Sequence, residues 1–92
     1  MKINVDGKPF DIWFRYSEHG KYKHTTAHLK DLVTNEEVIG WSICAPEDQF
    51  SKKIGRKLAL KRLFESFFAG QDNYHFRLGV WTALACRGMR LN

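Results

Sequence analysis

The sequence predicts an α+β fold in which a three- or four-stranded antiparallel meander is followed by two helices (ββββαα or βββαα). In the first part of the chain apolar and polar residues alternate, whereas beyond Pro46 the apolar residues recur every three or four positions. The first pattern is typical of a strand with one buried face and the second of a helix with one buried stripe. At 92 residues and 43% hydrophobic content, the chain is expected to form one domain, residues 1–92.

The strands are predicted from the alternation around Phe10, Ile12 and Phe14 and from the turn residues that interrupt it. Gly20 suits a turn because glycine tolerates a positive φ angle. The third strand carries Trp41 and ends at Cys44. In chain order we expect a short edge strand over residues 1–5, a turn at 6–7, strands over 10–16, 21–32 and 38–44, and turns at 17–20 and 34–37.

The helices are predicted from capping residues and from apolar spacing. Pro46 suits the first position of the first helix, or Asp48 caps a slightly later start; Gly70 follows its end near residue 69. Within it, Gly55 and Ala59 offer a small surface on which the helix can lie close to the sheet. The second helix is expected to run from a cap at residue 72 or 73 to residue 88, with an apolar stripe formed by Phe76, Val80 and Leu84.

The charge is distributed unevenly along the chain, which has a net charge of +5. Residues 1–49 hold six Lys or Arg against eight Asp or Glu, and residues 50–92 hold nine against two. This asymmetry favours an anionic partner for the second part of the chain, either nucleic acid or an acidic protein surface. The alternative is a solvated basic face that only aids solubility.

Most of these cations belong to the first predicted helix, with no acidic residue between them. A helix of this kind tracks phosphates or an acidic groove. Trp13 and Arg15 are expected on one sheet face, where they can stack on bases, although such a Trp is more often half-buried core. Arg87 and Arg90 extend the basic patch. The predicted partner-binding residues are Lys52, Lys53, Arg56, Lys57, Lys61, Arg62, Trp13 and Arg15.

Three phenylalanines near the end of the first helix allow two interpretations. Phe64, Phe67 and Phe68 continue an apolar set with Leu60 and Leu63 at helical spacing. Either the second helix covers them, or they form an exposed patch at which a homodimer assembles. The chain is therefore expected to be a monomer or a homodimer.

The sequence favours a protein that is not an enzyme and that uses no cofactor or metal. It contains no motif of a nucleophilic, phosphate-binding or zinc-dependent enzyme. His24 and His28 lie on one strand about 13 Å apart, too far to share a zinc ion. Cys44 and Cys86 are widely separated, which favours reduced thiols and a cytoplasmic location. A run of about 18 apolar residues, as a membrane span requires, does not occur.

One stretch of the chain resembles a known type of protein. Residues 44–50, CAPEDQF, are followed by Gly55-Arg56, Ala59 and Arg62, and later by an Arg77 to Trp81 pair. Across residues 38–85 this pattern is similar to that of small uncharacterised phage accessory proteins. This chain is more basic and has a phenylalanine-rich segment. The resemblance implies a phage protein that acts in the cytoplasm of a host cell, of the kind that includes anti-CRISPR and other inhibitors of host defence nucleases.

Three functional hypotheses follow from the sequence and the resemblance. The leading one is a phage-type inhibitor that docks on a host defence nuclease, or on a nucleoprotein complex and its bound nucleic acid, through the basic helix. The second is a small basic regulator that binds DNA or RNA, although no base-reading motif accompanies the cations. The third is a scaffold protein that associates through the phenylalanines.

Overall fold

The structure, a computed structural model, describes residues 1–68 and 74–89, and only the backbone of residues 67 and 68. Among these residues, one antiparallel sheet in the order β1-β2-β3-β4 precedes two helices. The predicted α+β class is confirmed in its four-stranded form. The elements are β1 (Lys2–Val5), β2 (Lys8–His19), β3 (Tyr22–Asp31), β4 (Glu37–Cys44), α1 (Lys52–Phe68) and α2 (Tyr74–Cys86).

The first two hairpins use two-residue turns. Asp6 and Gly7, with φ angles of 52° and 77°, join β1 to β2, as in a type I′ turn. Gly20, at a φ angle of 63°, and Lys21 join β2 to β3. The predicted turn at residues 17–20 was therefore too long. A positive φ at Gly20 reverses the chain within two residues, so residues 17–19 continue β2 and pair with residues 22–24.

Helix α1 begins later than either predicted start. The Ser51 carbonyl oxygen accepts a hydrogen bond from the Gly55 N–H at 2.9 Å, and the Ser51 hydroxyl oxygen accepts one from the Ile54 N–H at 3.4 Å. Ser51 is thus the N-cap. Residues 45–48 form a turn instead, in which the Asp48 N–H donates to the Ala45 carbonyl. The predicted caps at residues 70, 72 and 73 lie outside the described residues.

Both helices pack on the same face of the sheet, α1 against β3 and β4, and α2 against β1. Within the described residues, neither helix is long and apolar enough to cross a membrane. The core between the sheet and the helices is apolar. It consists of Ile3, Val5, Phe10, Ile12, Ala27, Leu29, Ala59, Leu60, Leu63, Phe64, Val80 and Leu84.

Helix α1 lies unusually close to the sheet because glycines stand at the crossing. A β-carbon at Gly40 would be 2.2 Å from the Ala59 carbonyl oxygen, and one at Gly55 would be 2.5 Å from the Thr25 hydroxyl oxygen. Ala59 is fully buried. The predicted close approach through Gly55 and Ala59 is confirmed, and Gly40 supplies the matching surface on β4.

Two buried hydroxyl groups beside Gly55 are expected to affect stability in opposite ways. Ser42 donates a 2.9 Å hydrogen bond to the Gly55 carbonyl, whereas the Thr25 hydroxyl has no hydrogen-bond partner among the described residues. Thr25→Val should therefore raise the free energy of unfolding by about 1 kcal/mol, and Ser42→Ala should lower it by about 1–2 kcal/mol. Urea denaturation of the two variants tests this; equal destabilisation by both would contradict it.

Candidate binding surfaces

The cations of α1 do not form one surface. Lys52 and Arg56 are directed towards β2, where the Lys52 ammonium lies 4.9 Å from the centre of the Tyr16 ring. The Arg56 guanidinium donates a 2.9 Å hydrogen bond to the Tyr16 hydroxyl. Both contacts are intramolecular, a cation–π contact and a hydrogen bond. These two predicted binding residues thus help to hold α1 against the sheet.

Arg62 lies on the opposite side of α1, beside the free edge of β4. Its guanidinium donates a 2.9 Å hydrogen bond to the backbone carbonyl of Trp41. β4 is the last strand of the sheet, and an edge strand presents unpaired backbone groups to solvent. Arg62 therefore provides a hydrogen-bond donor for one backbone carbonyl group at the edge of the sheet.

The three remaining cations, Lys53, Lys57 and Lys61, form what we call the lysine row. They are exposed and four residues apart, so they follow one another along the helix over about 12 Å. Among the described residues, the carboxylates in close contact with a cation or an imidazole are Asp11, 2.9 Å from the N-terminal ammonium, and Glu37, 2.9 Å from the His28 ring. The lysine row therefore presents charge that no described carboxylate neutralises.

A second surface is the face of the sheet opposite the helices, here called the outer face. On β4 it carries Ile39, Trp41 and Ile43, whose side chains are between 49% and 57% exposed. Trp13 and Arg15 lie on the same face, as predicted, because they pair with His28 and Thr26 of β3. Trp41 and its two isoleucine neighbours were not among the predicted binding residues.

Trp13 is the less accessible of the two outer-face tryptophans. Its ring stacks on His28, with the centroids 5.0 Å apart and the planes 6° from parallel. His28 is held in turn by Glu37 at 2.9 Å and by the Thr26 hydroxyl at 3.0 Å. The indole of Trp41 is more open, and its nearest described ring, His24, lies 6.4 Å away. Trp41 is therefore the outer-face ring most available to a ligand.

The predicted oligomer interface is corrected at Phe64. This side chain is 4% exposed and lies against α2, with its ring 6.3 Å from that of Phe76 and 6.2 Å from that of Trp81. Helix α2 covers Phe64, so its ring is not available to a second copy. The side chains of Phe67 and Phe68 lie outside the described residues.

The C-terminal arginines were predicted to extend the basic patch. Arg87 donates a 3.0 Å hydrogen bond to the Lys2 carbonyl oxygen, which places it beside β1 rather than on α1. Arg90 lies outside the described residues.

The described part of the chain contains no group of three or more His, Cys, Asp or Glu residues that could hold a metal ion. The thiol of Cys44 donates to the carbonyl oxygens of Ala45 and Asp48, at 3.6 and 3.7 Å, and so belongs to the turn before α1. That the protein is neither an enzyme nor a metalloprotein stays a prediction.

Comparisons with known proteins place the chain in no family. No protein-family model matches it, and searches of curated proteins and of solved structures found no match. The resemblance to phage accessory proteins therefore stays a prediction, and the surfaces themselves are the basis for a functional proposal.

Proposed function

We propose that this protein is a non-enzymatic binding protein that docks on an anionic partner through the lysine row of α1. The observation that carries the proposal is that Lys53, Lys57 and Lys61 are exposed, aligned and unpaired with any described carboxylate. Charges arranged in this way contribute little to folding. They attract an anionic surface and speed its encounter with the protein.

The partner we propose is a host defence nuclease, contacted on an acidic surface or on its bound nucleic acid. Support for this choice comes from the resemblance of residues 38–85 to phage accessory proteins. The net charge of +5 suits either contact. An inhibitor of this kind needs no catalytic residues, because occupying the surface is enough to block substrate binding or a conformational step.

Charge reversal on the lysine row tests the proposal. The variant Lys57→Glu/Lys61→Glu lowers the net charge from +5 to +1, since each reversal removes two charges. The control Lys8→Glu/Lys21→Glu makes the same change at two lysines that are exposed elsewhere. We expect the first variant to lose inhibition, because each reversal replaces an attraction at the contact with a repulsion. We expect the control to retain it.

The measurement is DNA cleavage by purified, guide-loaded CRISPR nucleases and by restriction enzymes, with the protein added at increasing concentration. Equal loss in both variants would show that net charge, and not the lysine row, is responsible. If the protein inhibited none of the nucleases tested, the proposed partner would be rejected. Binding of DNA or RNA that needs no nuclease and is lost in the Lys57→Glu/Lys61→Glu variant would support the regulator hypothesis instead.

A further inference from the structure

On the outer face, the exposed indole of Trp41 and the cation of Arg15 lie on opposite sides of the small side chain of Thr26. Thr26 of β3 pairs with Arg15 on β2 and with Trp41 on β4. Adjacent strands lie about 4.8 Å apart, so the backbones of Arg15 and Trp41 are about 10 Å apart with Thr26 between them. Arg15 is exposed and Trp41 is 57% exposed. Thr26 is therefore flanked by a positive charge on one side and an aromatic ring on the other.

The charges on this face favour an anionic ligand. Its two carboxylates are already engaged, Asp11 by the N-terminal ammonium and Glu37 by His28, each at 2.9 Å. Arg15 and Lys30 form no ion pair with the described residues. A second copy of the chain on this face would instead bring a further net charge of +5 against these cations.

We propose that the outer face binds single-stranded nucleic acid, with a base stacked on Trp41 and a neighbouring phosphate on Arg15. Aromatic rings beside cations are the features that bind unpaired nucleic acid, because every base has a π-face and every nucleotide carries a phosphate. The bases of a duplex are already stacked on one another, so they are not available to stack on Trp41, and a double helix fits the surface of a sheet less well than a single strand does. This site lies on the opposite side of the sheet from α1 and does not rest on the lysine row.

The direct test is the affinity for labelled oligonucleotides, measured by fluorescence anisotropy with a 12-nucleotide oligo(dT), an oligo(rU) and a duplex of equal length. We expect both single strands to bind more tightly than the duplex. Trp41→Ala should weaken single-strand binding by about 5- to 150-fold, the equivalent of one lost stacked base. Trp41→Phe should retain most of the affinity because it keeps a ring.

Two further variants define the site. Tyr74→Ala removes an equally exposed ring, 57%, from α2 and should leave the affinity unchanged. Arg15→Ala should reduce the slope of log affinity against log salt by about 0.7, as expected for one lost phosphate contact to a single strand. An oligo(dU) of the same length, compared with the oligo(rU), shows whether the sugar contributes, since the two differ only at the 2′ position.

Three results would overturn the proposal. One is equal affinity for the duplex, and another is unchanged single-strand binding by a folded Trp41→Ala variant. The third is a dimer in sedimentation velocity that Trp41→Ala converts to a monomer, because a second copy would then occupy the outer face. The Lys57→Glu/Lys61→Glu variant reports on α1 separately, so failure of this proposal and of the proposed function can be distinguished.

Discussion

Gly40→Ala is expected to lower the free energy of unfolding by about 3 kcal/mol or more, at the upper end of the range for overpacked sites. The added β-carbon would lie 2.2 Å from the Ala59 carbonyl oxygen and 2.3 Å from the Leu63 backbone nitrogen. Both atoms belong to the backbone of α1, so no change of side-chain rotamer can relieve the overlap. The helix would have to move away from β4 and uncover part of the core.

Gly55→Ala is the appropriate comparison, because its added β-carbon meets a side chain, the Thr25 hydroxyl at 2.5 Å. Combining it with Thr25→Ala should recover part of the lost stability, whereas no side-chain substitution should rescue Gly40→Ala. Urea denaturation of the three variants measures this. A Gly40→Ala protein as stable as the wild type would mean that α1 does not cross β4 at this residue.

The second large effect is expected at Leu84 of α2. Its side chain is fully buried, and Leu84→Ala should lower the free energy of unfolding by about 2–5 kcal/mol through lost apolar contact and the cavity that remains. Leu78, on the same helix, is 47% exposed, and Leu78→Ala should change stability by no more than about 0.5 kcal/mol.

This pair tests whether α2 is docked on the core. If α2 were detached in solution, both leucines would be exposed and both variants would be nearly neutral. Thermal unfolding followed by circular dichroism separates the two cases, because losses of about 2 kcal/mol shift the melting temperature by roughly 10 °C in a domain of this size.

The candidate surfaces were only partly predictable from the sequence. The density of cations between Lys52 and Arg62 was visible, and so was the shared face of Trp13 and Arg15. The sequence did not show which of these cations would contact the sheet and which would not, because that depends on the residues that lie beside each turn of α1. Tyr16 on β2 engages Lys52 and Arg56, and the Trp41 carbonyl engages Arg62. Of these cations, only Lys53, Lys57 and Lys61 have side chains with no hydrogen bond, ion pair or ring contact to another described residue.

Strand β4 shows why the exposed residues that it adds to the outer face were not predicted. An alternating strand usually turns its large apolar residues inward, but here Ile39, Trp41 and Ile43 face outward while Gly40 and Ser42 face α1. The close approach of the helix leaves no room for large side chains on the inner face. The identity of the buried face therefore depends on a partner element that is distant in the sequence.

The sequence by itself determined the α+β class, the order of strands and helices, and the small-residue contact through Gly55 and Ala59, because these follow from local periodicity, turn chemistry and side-chain size. The tertiary structure decided that Ser51 starts α1, that Phe64 is core and that Trp41 is surface. Each of those outcomes depends on which groups compete for the same space or the same hydrogen bond. Such competition between distant residues leaves no local pattern along the chain.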